Sequence, residues 1–354
     1  MESSPSSAPS LATTISQVDW QLQVRSASPD LQPSASSLLR QLDYLTKRFD
    51  KVVADWRCVL EDVLFVRDLA VKIVELVHAH PEICLGMSGH LNMRSQAIAR
   101  DFQVAVVAAL AAQTMDLSFK QQLTVVRAAL LMNLSTFEMH DNLAYTSKPL
   151  TLLQRVSIAR HPLLASQLLS HSPGADMQWI DAVEQHHEAM DGTGYPFGLS
   201  GKDICIEARV IKAADLWCSL VSPRATRQAK YPHHAMQELQ SRERMRLDTM
   251  VLASLRRRLG NYPPGTLVRL ASRETAVVTG FATGNAAPRH VVAIFNAAGE
   301  VMPFPKLRDT GKTAFALRGY TSAPQYQNQK PDWEKVWSLV HSSLVAIPKD
   351  ARVS

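Results

Sequence analysis

The sequence lacks the marks of several large protein classes. It has no Cys-x-x-Cys pair, and its four cysteines (Cys58, Cys84, Cys205 and Cys218) lie far apart. That spacing argues against a disulfide framework and suits a reducing compartment. The longest unbroken apolar run, Val104 to Ala112, falls short of the roughly 20 residues that span a bilayer. Glu2 and several serines stand where a secretory signal would carry a basic stretch and an apolar one. A cytoplasmic location with no membrane span is therefore expected. No Lys/Arg run exceeds three residues and the net charge is 38 − 32 = +6, so no DNA-binding surface is expected. Fourteen glycines and 19 prolines in 354 residues exclude a collagenous or globally disordered chain. What is there is a 46% apolar chain, long enough for a large core and, at about 150 residues per domain, for about two domains.

The grammar changes along the chain. Residues 1–35 are rich in Ser, Pro and Ala and read as a disordered tail. Over 36–89, Leu42, Leu45, Phe49, Val52, Val53, Trp56, Val59, Leu60 and Val63 recur at three- and four-residue steps. These steps predict an N-terminal helical segment, either one long helix or two in a hairpin. The heptad-like spacing also admits a homodimer seam. Residues 90–260 continue as helices over Ala97–Met115, Phe119–Leu134, Leu150–Ser170, Trp179–His187, Glu207–Leu220 and His234–Leu259, with Gly260 and Pro263-Pro264 as stop signals. Over 261–320 the β-branched runs TLVRL, TAVVTGF, HVVAIFN and EVMPF predict a small antiparallel sheet or barrel. A C-terminal linker and short helix, Trp333–Val345, occupy 321–354. The fold class expected is mainly α: a helical bundle with an N-terminal helical segment and a small C-terminal antiparallel β domain.

Chemistry concentrates in three strings: RHP with His161, QHHEAMDGTGYP with His186 and His187, and KAADLW with Asp215. Imidazole and carboxylate are the ligands of hydrolytic transition metals. The string HHEAMDGTGYPFGLSG followed by ARVIKAADLWCSLVSPRATRQA closely resembles the HD-GYP family, bacterial phosphohydrolases that act on cyclic di-GMP. The resemblance covers about residues 90 to 240. It implies an HD-type helical bundle with two or three metals, usually iron or manganese. It also implies a Gly-Tyr-Pro loop that docks to GGDEF proteins, the cyclic di-GMP synthases.

Carried over residue by residue, the resemblance makes His161, His186, His187 and Asp215 metal ligands. Asp191, Gly192, Gly194, Tyr195 and Pro196 become the signature loop, and Arg224 and Arg227 become phosphate-contacting positions, with Thr226 where a tyrosine is usual. Other ligand positions are substituted. The HD dipeptide falls at Met132 and Asn133, the following lysine at Thr136, the first histidine at Arg100 and the glutamate one turn earlier at Gln96. His140-Asp141 has the HD letters but falls eight residues late, beyond the expected helix end. A thioether and a neutral amide are poor ligands for hard ions, and a guanidinium that cannot deprotonate repels them.

Either His161, His186, His187 and Asp215 hold one divalent ion, iron or manganese, or they are polar core groups that satisfy one another and no metal is held. Arg100, on the inward face of its helix, is expected to pair with Asp215 in place of metal charge. Three functions stay open at this point: a degenerate regulatory module that binds cyclic di-GMP or a protein, an active phosphodiesterase with an altered metal site, and a helical interaction scaffold.

Overall fold

The structure, a computed structural model, describes residues 35–54, 63–90, 93, 95–144, 146, 148–172, 174–223, 227–282, 286–321 and 330–345. The tail expected over 1–35 lies outside these residues except for its last position, which begins a helix. So do Arg224 and Thr226.

Helices α1 (Ala35–Ala54), α2 (Val63–Ala79) and α3 (Pro81–Ser88) lead into the bundle. Helix α3 was not anticipated. Its eight residues are too short to show a helical period, and Pro81 at its first turn marks the start. The bundle comprises α4 (Gln96–Thr114), α5 (Phe119–Leu131), α6 (Phe137–Ala144), α7 (Leu152–Ser170), α8 (Met177–Gln185), α9 (Ile206–Val221), α10 (Pro232–Ser241) and α11 (Thr249–Leu259). Helix α4 is its axis. Every residue from Val104 to Ala112 is buried, so the longest apolar run is a central core helix. Alanines at 105, 108, 109, 111 and 112 let α5 and α9 pack closely on it.

The single helix expected over His234–Leu259 is two. The first ends at Ser241 and, after a turn, Asp248 starts α11 by accepting the Met250 and Val251 amides at 2.8 and 3.2 Å.

The C-terminal strands β1 (Leu267–Leu270), β2 (Thr275–Val278), β3 (His290–Phe295), β4 (Val301–Asp309) and β5 (Leu317–Tyr320) form one antiparallel sheet in the order β4-β3-β2-β1-β5. It is a sheet and not a barrel, since β4 and β5 do not pair. Strand β5 escaped the sequence reading because LRGY has no β-branched residue and Gly319 takes a positive φ of 141°. Val277, Val292, Ile294 and Phe295 join the same core as the helices and as Val336, Trp337 and Val340 of α12 (Trp333–Val345).

Two glycines set the junction. A Cβ on Gly86 would enter the ring of fully buried Trp337, and one on Gly265, where φ is +91°, would meet the Gly86 carbonyl. Gly86→Ala is expected to lower stability by about 1–3 kcal/mol, as overpacking a rigid core does. A thermal midpoint equal to the wild-type value would show that Trp337 can move.

Candidate functional site

The three histidines converge, and the backbone explains how. His161 lies inside α7, and the next residue, Pro162, has no N–H to bond to the carbonyl four residues back. That carbonyl belongs to Ile158, and His161 Nδ1 takes it at 2.6 Å. His186 is the C-cap of α8, where the last carbonyls have no helical donor. His186 Nδ1 takes one of these, Val183 O, also at 2.6 Å. A carbonyl only accepts, so both Nδ1 atoms carry the proton and both Nε2 atoms present lone pairs. These Nε2 atoms face each other at 3.1 Å, with His161 and His186 0% and 1% exposed. Two acceptors at that distance need a cation or a proton between them. Burial resists the proton: it pushes His161 down, His186 to about 3, and His187 well below the ordinary imidazole value.

His187 completes the group. Its ring stacks on Tyr195 at 4.7 Å, and the ligand atoms of the three histidines all lie within 4.8 Å of one another. Tyr195 belongs to the loop Asp191–Pro196, which folds back over the helix end. Gly194 is required there, since a Cβ would enter the backbone of Glu188 and Ala189. Asp191, exposed, ties the turn by accepting from the Thr193 amide and hydroxyl at 3.0 and 2.7 Å. Glu188, 1% exposed, accepts the Phe197 and Leu199 amides at 2.6 and 3.0 Å. Thus HHE divides its work: two imidazoles for the cluster and one carboxylate for the loop. The sequence reading missed the glutamate's role, although its place beside the histidines was a signal. It also missed Lys212, buried on α9, whose ammonium donates to the His187 carbonyl at 3.1 Å and is pushed down to about 8, mainly by burial.

Asp215 is next to this cluster but turned to another partner. Arg100 Nη2 donates to Asp215 Oδ1 at 2.5 Å, the pairing expected from the sequence. The side chains are 25% and 12% exposed. Burial opposes the charge on Arg100, yet Asp215 and Asp101 outweigh it and hold its value above the ordinary one. Asn133 donates from Nδ2 to Asp101 Oδ1 at 2.9 Å. Asp101 is 1% exposed, and burial raises its carboxyl well above the ordinary range, with Asn133 and Arg100 pulling the other way.

The other substituted positions do not face the cluster as ligands. Met132 packs in the core, Thr136 Oγ1 donates to the Asn133 carbonyl at 3.3 Å, and Gln96 is exposed at the first turn of α4. Arg227 donates to the Ser219 carbonyl. His140-Asp141 is beyond the end of α5, as expected, but on a helix of its own, α6. The His140 ring lies 6.0 Å from that of His161, and Asp141 accepts the Ala97 amide at 2.8 Å.

The donor set can be tested against the metals that the family resemblance implies. A two-ion clamp sets its ions about 3.5–4 Å apart. The position that the resemblance gives to a metal-bridging aspartate is Asn133, whose amide is bonded to Asp101, and Arg100 holds Asp215. The three imidazoles, each of the first two oriented by a carbonyl as metal-binding histidines are, do fit one ion.

Comparison with known proteins agrees with this architecture. The family model of the HD domain matches residues 77–251. The chain is 31% identical over 121 residues to a cyclic di-GMP phosphodiesterase of Pseudomonas aeruginosa, covering 34% of this chain and 29% of that protein. It is 33% identical over 124 residues to a cyclic di-GMP phosphodiesterase response regulator of Xanthomonas campestris pv. campestris, covering 35% and 33%. The match therefore spans about a third of the length of these relatives. A solved structure of an HDG"Y"P protein from Bdellovibrio bacteriovorus shares the fold, with a TM-score of 0.53 at 17% identity over 66% of this chain and 76% of the other.

Proposed function

From the premise that the chain carries an HD domain of the HD-GYP family, we propose that it is a cytoplasmic regulatory module of bacterial cyclic di-GMP signalling, one that binds the dinucleotide and does not hydrolyse it. One observation carries this reading: the Arg100–Asp215 ion pair. In a two-metal site the dications clamp both the attacking and the leaving oxygen of an in-line displacement. A guanidinium beside Asp215 supplies one diffuse positive charge and occupies its Oδ1. Asn133 reinforces the loss, since its amide nitrogen points to Asp101. The loop Asp191–Pro196, held in shape by Glu188 and presenting Phe197 at 54% exposure, is the surface offered to a GGDEF-type synthase.

The purified chain is expected to leave cyclic di-GMP intact above background with manganese or iron present, while calorimetric titration registers binding. Metal-dependent turnover that disappears in a His186→Ala variant would overturn the proposal in favour of an active phosphodiesterase. Absence of any heat of binding would favour the scaffold reading.

A further inference from the structure

We propose that His161, His186 and His187 hold a single borderline divalent ion of the zinc or cobalt class, and that Pro162 is the positioning residue that makes His161 a ligand. The assignment rests on the substituted two-ion positions described above, but it concerns a different property of the same pocket.

The donor chemistry decides the class of ion. Manganese and magnesium sites draw on carboxylate oxygen, whereas imidazole suits zinc, copper, nickel and iron. Among the described residues no carboxylate oxygen falls within 4.8 Å of all three imidazole ligand atoms. Asp215 is held by Arg100 at 2.5 Å, and Asp101 is bonded to Asn133 at 2.9 Å. Glu188, one residue from His187, has both oxygens on loop amides. What remains is three imidazoles whose ligand atoms lie within 4.8 Å of one another. Three protein ligands with one position left for solvent or substrate is a coordination that zinc adopts readily. An ion bound by neutral imidazoles alone keeps its double charge, so the pocket would attract an anion such as a phosphate.

The role of Pro162 follows from backbone bookkeeping. In a regular helix the N–H of residue 162 would bond to the carbonyl of residue 158. Proline has none, so Ile158 O is free and accepts His161 Nδ1–H at 2.6 Å. That bond sets both the ring orientation and the tautomer that leaves Nε2 bare. Alanine at 162 would return an N–H to this carbonyl, compete with the imidazole and let the ring rotate. Losing such an outer partner lowers metal affinity by about 10–100-fold.

The test is dialysis of the full chain against equal concentrations of zinc, cobalt and manganese, followed by metal analysis and competition titration with a chromophoric chelator. One zinc or cobalt per chain is expected, manganese is not retained, and both His161→Ala and His186→Ala lose the ion. Pro162→Ala, shown folded by circular dichroism, is expected to bind zinc about 10–100-fold more weakly. Two ions per chain, retention of manganese in preference to zinc, no retained ion, or zinc binding that survives in His186→Ala would each overturn the ion assignment. Unchanged affinity in folded Pro162→Ala would overturn the role of Pro162. The outcomes separate from those for the proposed function: a one-zinc chain that hydrolyses cyclic di-GMP overturns only the regulatory reading, and an inert chain that binds no ion overturns only this one.

Discussion

Arg100→Met is expected to lower the stability of the fold by about 3 kcal/mol, at the lower end of the range for stranding one member of a buried pair. The lower end applies because the Arg100 side chain keeps 25% of its exposure, so water screens part of the charge it leaves behind. The cost arises from Asp215, only 8% exposed, which would lose its cation while the neutral histidines beside it offer no replacement. The double variant Arg100→Met, Asp215→Asn removes both charges and is expected to recover much of that loss, since pair replacement is far milder than pair breaking. Denaturant titration of the four proteins of this cycle measures the coupling. If Arg100→Met unfolds at the wild-type midpoint, the ion pair adds nothing to stability, and the regulatory function proposed above loses its main physical support.

Acid is expected to destabilise the metal-free protein progressively between pH 6.5 and about pH 3. In the folded state His186 resists protonation down to about pH 3, chiefly because it is buried, with His161 and Lys212 adding repulsion that Asp215 and the Val183 carbonyl only partly offset. In the unfolded chain it protonates near pH 6.5. Below 6.5 the unfolded state therefore binds more protons, and stability falls as pH falls. At pH 5 the difference of about 1.5 pH units corresponds to about 2 kcal/mol from His186 alone. His161 and His187 are lowered in the same direction and add to it. Asp101 works the other way: its raised folded value means that the native state keeps a proton the unfolded chain has already lost, so its contribution improves on acidification. The His186→Gln comparison separates the histidine contribution from that of Asp101. Urea midpoints measured with a chelator at pH 7.5 and pH 5.0 should differ accordingly, and the difference should shrink in His186→Gln. Equal midpoints at the two values would mean that the cluster opens to water.

Much of this was legible in the chain itself. The apolar steps around Val104–Ala112 made α4 a core helix, and its observed span, Gln96–Thr114, is one residue earlier at each end than the expected Ala97–Met115. Capping explains such one-residue differences: Ser95 accepts the Ile98 amide and starts the helix ahead of its apolar face. The string from His186 to Pro196 announced an HD-GYP relation because chemistry and turn residues stand there in one fixed order. The resemblance, which puts Arg100 and Asp215 at ligand positions of one pocket, together with the inward face of α4, was enough to expect the two side by side. The break between α10 and α11 was missed because Asp248 looks like any surface acid until it is seen accepting two amides. The sheet was read as a separate unit by its composition, and composition carries no sign that Val277, Val292, Ile294 and Phe295 share a core with Trp337 and the bundle.

By itself the sequence determined what acts within a turn or two of backbone: where helices run, which loop needs glycine, and that Pro162 must leave the Ile158 carbonyl free. Apart from the pairing of Arg100 with Asp215, which the resemblance led us to expect, only the tertiary structure decided which side chain each functional group serves. Asp215 is 115 residues from Arg100 and Asn133 is 32 from Asp101, and their choices follow from burial. Out of water, every charge and lone pair must take the partner that packing brings within reach. The fold brings a cation to Asp215, and it leaves three imidazoles facing one another.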